Sequence, residues 1–328
     1  MSNKIKFVFL LGLARSGTKL FRELLNNHDE VEILPIESNF IPKLERRFKC
    51  VRLDNPTNFH FFYQAFLESS YAYNVIKSGG VLLSESDWRN ACPDFQLGSV
   101  FRTLFELVLL ESNPNAKVIG DKTPYYINHV SLLLKLFPDA LFVHIVRDPR
   151  DRALSEKKTW GKSLYTSAHC WVEGIETMSR SLQKLSDRLV EVRYEDLLVQ
   201  PEIEISRVVS FLGLSFQSNM DKIKDSPEMY GDAKCKNDVV KINFGKFNVK
   251  INKRKIKRIE ELTFPWISLY GYPILYASRR RRLSLFWIKL LLVGDKIRLL
   301  LFHIKEKGVL QGFRYFKKIA LTKKSFKP

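Results

Sequence analysis

Residues 5–20 read IKFVFLLGLARSGTKL. Lys6–Leu11 is an apolar run without polar alternation, the pattern of a strand buried on both faces of a parallel sheet. Thr18–Asn27 changes period: Leu20 with Leu24, and Phe21 with Leu25, fall on one face of a helix. Between them runs a loop bounded by Gly12 and Gly17. Strand, glycine loop and helix in that order aim backbone N–H groups and the positive end of a helix dipole at an anion. The nucleoside-triphosphate form of such a loop, G-x-x-x-x-G-K-[ST], follows its second glycine with a lysine and then a hydroxyl for Mg²⁺. Here Thr18-Lys19-Leu20 follow, so the lysine comes one place late and the hydroxyl is missing. Arg15 offers a planar fork that suits phosphate or sulfate, Ser16 and Thr18 add hydroxyl donors, and Lys19 stands in the first helical turn. Read alone, the stretch fits an anion site, and it also fits a strand-to-helix turn with no ligand.

The rest of the chain repeats the alternation. Strand-like runs fall at 31–34, 117–120, 140–146 and 189–193, and helical patterns at 56–77, 95–111, 124–136, about 149–158, 164–186, 201–212 and 253–263. This order predicts an α/β fold with three α/β/α layers and a mainly parallel central sheet. Ligands of such sheets bind at the carboxyl ends of the strands. A second block lies at such an end, Val143-His-Ile-Val-Arg-Asp-Pro-Arg-Asp-Arg152, followed by Ala-Leu-Ser155. The strand ends in Arg147, Asp148-Pro149 turns the chain into a helix, and Ser155 points back along that helix. An arginine and a serine so placed make a second phosphate site; the alternative is a charged helix start. His144 lies within the apolar run and reads as a core residue. Aromatic and apolar residues between 59 and 70 follow helical spacing and read as helix packing or the wall of an acceptor pocket.

Two phosphate sites in this order, without the triphosphate details, resemble the PAPS-dependent sulfotransferase family, over roughly residues 5–272. PAPS is 3′-phosphoadenosine 5′-phosphosulfate. Gly12–Thr18 resembles that family's 5′-phosphosulfate loop, and Arg147 with Ser155 its 3′-phosphate motif. Val192-Arg-Tyr-Glu-Asp-Leu197 resembles a later strand whose tyrosine, here Tyr194, lies near the nucleotide. The R-S-G-T loop is similar to that of the tyrosylprotein and bacterial glycan-type branch. The resemblance implies a P-loop-like fold, PAPS as co-substrate, 3′,5′-ADP (PAP) as product and no metal. It further implies Glu37 as general base, after a one-residue shift, and Lys122 of Gly120-Asp-Lys-Thr-Pro124 as a stabiliser of the sulfuryl group beside Arg15. Asn243-Phe-Gly-Lys246-Phe resembles a late cofactor loop, which brings in Lys246. The implied acceptor is a hydroxyl, on a glycan, glycolipid or other molecule. A small-molecule P-loop kinase and a non-catalytic nucleotide-binding or membrane-associated protein are the alternatives.

Composition narrows the partners. With 45% hydrophobic and 27% charged residues, the 328-residue chain can build a sizeable core. From Ser278 to Pro328, fifteen Lys/Arg stand against two acids, so this segment carries +13 of the net +19. The charge belongs to a tail, which argues against specific nucleic-acid binding by the whole protein. We therefore expect a catalytic domain over 1–277 and a basic amphipathic extension over 278–328. Leucines and aromatics interleave with Lys/Arg in the extension, which fits an anionic membrane surface; packing on the core or on a second subunit is the other reading. Cys50, Cys92, Cys170 and Cys235 lie far apart, outside metal or disulfide spacing, and read as buried or inert thiols of a reducing compartment. No leader pattern precedes Arg15, so the expected location is cytoplasmic, with the tail as a peripheral attachment to the inner face of the membrane.

Overall fold

A computed structural model describes residues 5–218, 220–222 and 242–324. In chain order the elements are β1 (Lys6–Leu11), α1 (Thr18–Leu25), β2 (Val31–Ile33), α2 (Ile41–Phe48), α3 (Pro56–Leu67), α4 (Ser70–Lys77), α5 (Glu85–Ala91) and α6 (Leu97–Ser112). There follow β3 (Val118–Lys122), a 3₁₀ stretch Pro124–His129, α7 (Val130–Leu136), β4 (Leu141–Val146), α8 (Pro149–Trp160), α9 (Leu164–Leu185) and β5 (Leu189–Arg193). The chain closes with α10 (Tyr194–Val199), α11 (Pro201–Phe211), α12 (Phe247–Lys250), α13 (Lys253–Thr263), α14 (Trp266–Leu269), α15 (Leu285–Lys307) and α16 (Val309–Lys324).

The strands form one sheet in the order β2-β3-β1-β4-β5, and every pairing is parallel. Strand side chains alternate between faces, and the core divides accordingly. Phe7, Phe9 and Leu11 of β1 join the cluster beneath α6, α7 and α9 (Phe101, Phe105, Leu133, Met178). Val8 and Leu10 point the other way, to α1 and α11 (Phe21, Leu24, Ile205, Val208). Each fully buried Phe contributes about 1.5–3 kcal/mol, so the unbroken apolar run of β1 places it between two covered faces. Parallel strands put their carboxyl ends on one edge, where Gly12, Leu34, Thr123, Arg147 and Tyr194 follow.

Several boundaries differ from the sequence expectation. The helix expected at 56–77 is two, because Ser69 starts α4 as its cap, its hydroxyl accepting from the Ala72 N–H at 3.1 Å. Residues 124–136 begin as a 3₁₀ turn before becoming α7. The strand expected at 117–120 runs to Lys122, which is therefore the buried last residue of β3, 1% exposed, and not part of a turn. Tyr194 opens α10 and does not lie in β5. Phe59, Phe62 and Phe66 are fully buried against Trp88, Phe48 and Phe101, so the aromatic stripe is core packing. His144 is buried as expected, its Nδ1 2.7 Å from Glu191 Oε1. Cys50 is exposed and Cys92 and Cys170 are half-buried, and all three are free thiols. Cys235 and 325–328 lie outside the described residues.

Beyond 277 the chain forms a helical hairpin, α15 and α16, turning at Gly308 (φ 79°). One face of α15 seats on the body. Asp295 accepts hydrogen bonds from the Ser163 N–H (2.8 Å), between α8 and α9, and from the Thr166 hydroxyl in the first turn of α9. Tyr315 of α16 packs on Tyr73 of α4, ring centres 5.8 Å apart. No helix among the described residues is long and apolar enough to cross a membrane.

Candidate functional site

The loop after β1 is held in a conformation that its glycines permit. Gly17, φ 90°, is the N-cap of α1, and a Cβ there would lie 2.3 Å from Cδ2 of the Tyr194 ring. At Gly12 a Cβ would come within 2.7 Å of the Ile145 carbonyl oxygen. Arg15 sits at φ 69°, a left-handed conformation that costs about 1–2 kcal/mol for a residue with a Cβ. Neighbours hold the loop there. Arg147 donates to the Arg15 carbonyl at 3.0 Å, and Arg152 Nε to the Ala14 carbonyl at 3.0 Å. The Arg15 side chain turns to α8, where Nε donates to Ser155 Oγ at 3.1 Å. In α1 the Phe21 N–H returns to the Gly17 carbonyl, and no side chain caps the helix start. The amides of Thr18, Lys19 and Leu20 thus have no acceptor within the helix, and they open on the strand-end edge.

Arg147, at the end of β4, is 6% exposed. Besides its bond to Arg15 it donates to the Asn243 carbonyl at 2.8 Å, and its guanidinium lies 4.3 Å from the Tyr194 ring centre. Its Nε is buried with no hydrogen-bond partner among the described residues. A guanidinium N–H left unpaired in the interior carries a desolvation penalty, and an anionic acceptor relieves it. The Tyr194 hydroxyl accepts from Asn243 Nδ2 at 2.9 Å, and Lys246 Nζ donates to Asn243 Oδ1 at 2.7 Å. Glycine loop, Arg147, Tyr194 and the 243–247 loop therefore meet at one place.

The charges after Arg147 do separate work that the sequence did not disclose. Asp148 caps α8, its carboxylate accepting from the Arg150 N–H at 2.8 Å. Arg150, fully buried, joins Asp148 to Glu260 (2.7 Å) of α13. Asp151 accepts from the backbone N–H groups of Gly245 and of Phe247 (2.9 Å), tying the late loop to α8. Arg152 pairs with the buried Glu156 at 3.0 Å while it holds the Ala14 carbonyl. Only Arg147 and Ser155 were expected to matter here. Asp151 and Arg152 were missed because their partners lie far away in sequence.

Glu37 and Lys122 meet on the other side of β1. Lys122 Nζ donates to Glu37 Oε1 at 2.7 Å, with side-chain exposures of 1% and 38%. Burial pushes the Glu37 carboxyl up, but the Lys122 ammonium and its hydrogen bond, with help from Lys19 and Asn39, outweigh it and hold the carboxyl below the usual range. Lys19 is therefore electrostatically near this pair. Beneath it lies a buried polar network. Ser38 Oγ donates to Asp121 Oδ2 at 2.8 Å, Thr123 Oγ1 to Asp121 Oδ1 at 3.1 Å, and the Tyr126 hydroxyl stands 2.6 Å from Ser38 Oγ. This network fixes the Glu37-Ser38 segment to the end of β3. Burial pushes Asp121 up to about 6, although those donors and Lys122 pull it down. Of the residues singled out in the sequence, Arg15, Ser155, Arg147, Tyr194 and Lys246 form one group. Lys19, Glu37 and Lys122 form a second, on the far side of the same loop.

Comparison with known proteins bears on this edge. A model of the sulfotransferase family matches residues 8–218. Protein-tyrosine sulfotransferase 1 of Danio rerio is 25% identical over 233 residues, covering 69% of this chain and 57% of that protein. The nodulation protein NoeE of Sinorhizobium fredii is 28% identical over 229 residues, covering 62% and 49%. The chain thus spans about half the length of these curated relatives. Among solved structures, the sulfotransferase domain from the curacin biosynthetic pathway aligns with a TM-score of 0.54 at 17% identity, over 82% of this chain and 99% of that one. At that identity the likeness is one of fold.

Proposed function

The chain belongs to the sulfotransferase family, and from that premise we propose that it transfers a sulfuryl group from PAPS to an acceptor hydroxyl. The observation that carries this reading is Arg147: a buried guanidinium with an N–H that has no partner among the described residues, stationed beside a glycine loop at the carboxyl edge of the sheet. Arg147 with Ser155 is suited to a 3′-phosphate, and the amides of 17–20 with Arg15, Ser16 and Thr18 to the phosphosulfate end. Tyr194 and Lys246 would border the nucleotide. Counted from the second glycine, Thr18 and Lys19 stand where a triphosphate loop carries its lysine and its Mg²⁺ hydroxyl. This disfavours the kinase alternative.

The donor supplies an activated sulfuryl group: the acceptor oxygen bonds to sulfur as the sulfur–oxygen bond to the 5′-phosphate breaks, and PAP leaves with that electron pair. Glu37 takes the acceptor proton. A carboxylate held below its usual range is a weak base, so it receives the proton as the new bond forms and not beforehand. Lys122 and Arg15 neutralise charge on the sulfuryl and leaving oxygens, a task of prepositioned cations. Lys122 needs no reorganisation, since burial and Glu37 already fix it.

The acceptor we propose is a glycan or glycolipid hydroxyl. A second reading, the phenol of a protein tyrosine, is favoured by the names of the relatives. A phenol is the more acidic group and depends less on a base, so Glu37→Gln should harm transfer to an alcohol more than transfer to a phenol. The reading as a whole is tested by titrating wild type and Arg147→Ala with PAP in a calorimeter, with ATP·Mg²⁺ as competitor. Metal-independent PAP binding, weakened about 10–100-fold by the substitution, is expected. Preference for ATP·Mg²⁺, or PAP binding indifferent to Arg147→Ala, would overturn it.

A further inference from the structure

The α15–α16 hairpin shows solvent a face that a surface helix does not ordinarily carry. Asp295 and His303 of α15 are buried, and Leu291, Leu292, Leu299 and Phe302 are half-buried on that same side. The inner side of the helix therefore already has its apolar contacts. A helix seated this way should be polar outward. Instead Phe286, Leu290, Val293, Ile297 and Leu301 are each more than half exposed. At 3.6 residues per turn they fall within an arc of about 80°, centred opposite Asp295. Lys289 and Lys296 flank one edge of this stripe, and Trp287 and Lys305 the other, all exposed. The two acids of α15, Asp295 and Glu306, fall on the opposite half of the helix. Val309, Leu310 and Phe313 of α16 continue the exposed apolar surface. Arg279, Arg281 and Arg282, exposed, lead into it.

We propose that this face docks on an anionic lipid bilayer, lying in the plane of the surface. Two features select this occupant. An apolar stripe edged by lysines lets the hydrocarbon sink to the level of the acyl boundary while the ammonium groups stay among lipid phosphates. The strong positive charge of the segment, +13 between Ser278 and Pro328, complements anionic headgroups and opposes apposition of a second copy through the same face. Insertion across the bilayer is not required: Lys289, Asp295, Lys296 and Arg298 interrupt the helix, and its inner side is committed to α8 and α9. The inference is independent of the sulfuryl-transfer reading.

The test is sedimentation of the full chain with vesicles of phosphatidylcholine alone and with about 30% phosphatidylglycerol. It is paired with molar mass by light scattering in the absence of lipid. Binding to the anionic vesicles, weakened by salt and absent from the neutral ones, is expected. Lys289→Gln/Lys296→Gln should weaken it on the order of thirty-fold, from about fivefold per lysine. Leu290→Glu/Ile297→Glu should abolish it at any salt with the melting temperature unchanged, since both side chains are more than half exposed. Four results would each overturn the proposal: no preference for anionic vesicles, binding indifferent to Leu290→Glu/Ile297→Glu, binding equally displaced by a nucleic-acid polyanion, or a lipid-free dimer that the glutamates dissociate. Should the glutamate variant fail to fold, the lysine variant and the salt series decide.

Discussion

Asp121→Asn should change how the stability of this protein depends on pH. Asp121 is fully buried beneath the Glu37–Lys122 pair, and burial lifts it from an ordinary 3.8 to about 6. A carboxyl raised in the folded state holds its proton there after the unfolded chain has lost it. Between about pH 4 and 6 the native state then binds more protons, and stability falls as pH rises. Below that window the group contributes nothing; above it, the ionised form costs on the order of 3 kcal/mol, from about two pH units at 1.36 kcal/mol each. An asparagine side chain cannot ionise. It also gives up one acceptor to Ser38 or Thr123, a loss of about 1–3 kcal/mol that does not vary with pH. The quantity to measure is the stability difference between variant and wild type, from urea unfolding at intervals between pH 4.5 and 8. That difference should move in favour of the variant as pH rises through 6, by no more than about 3 kcal/mol, and then level off. A difference that is flat with pH, or that moves in favour of wild type on raising the pH, would refute the assignment of an ionisable, strained carboxyl beneath the site.

Glu37→Gln should lower turnover by about 10²–10⁴-fold while PAP still binds; single-turnover transfer measures it, and undiminished turnover removes Glu37 from the proton path. Because Lys122 holds Glu37 below the usual carboxylate range, the acid limb of wild-type kcat/KM should also lie below that range. Gly17→Ala places a methyl group against the Tyr194 ring at a positive φ. PAP affinity should fall about tenfold or more, and unchanged affinity in calorimetry would show that the loop shifts freely. Arg152→Met takes from the buried Glu156 its closest cation and leaves it Ser167 and the partly exposed Lys162. A loss of about 3–5 kcal/mol in denaturant unfolding is expected, partly restored in Arg152→Met/Glu156→Leu.

What could be read from the sequence was local. β1, its glycine loop and α1 follow from a change of hydrophobic period within fifteen residues or so, and Arg147 follows from its place at the end of an apolar strand. Helix α5 also left a signal that went unused: Ser84 stands three residues before Asp87, and its hydroxyl accepts from the Asp87 N–H at 3.1 Å. Asp151 left none. Alone it is one more charge at a helix start, and only folding brings Gly245 and Phe247 to it. The burial of Lys122 was hidden for a related reason. The strand expected at 117–120 stops short of it, and its buried ammonium is paired by Glu37, which arrives from the neighbouring strand end. Short-range pattern reveals which strand ends carry function; which charges there are buried depends on partners from distant segments.

The Tyr194 ring has one side against Gly17, Arg147 over its face, and a hydroxyl held by Asn243. Volume added at 17 has nowhere to go unless volume is removed at 194, and a smaller residue at 194 strips Arg147 of its support. Positions 17 and 194 are thus sterically coupled, and a change at one has to be matched at the other. Anyone transplanting this loop into another scaffold must carry the tyrosine with it.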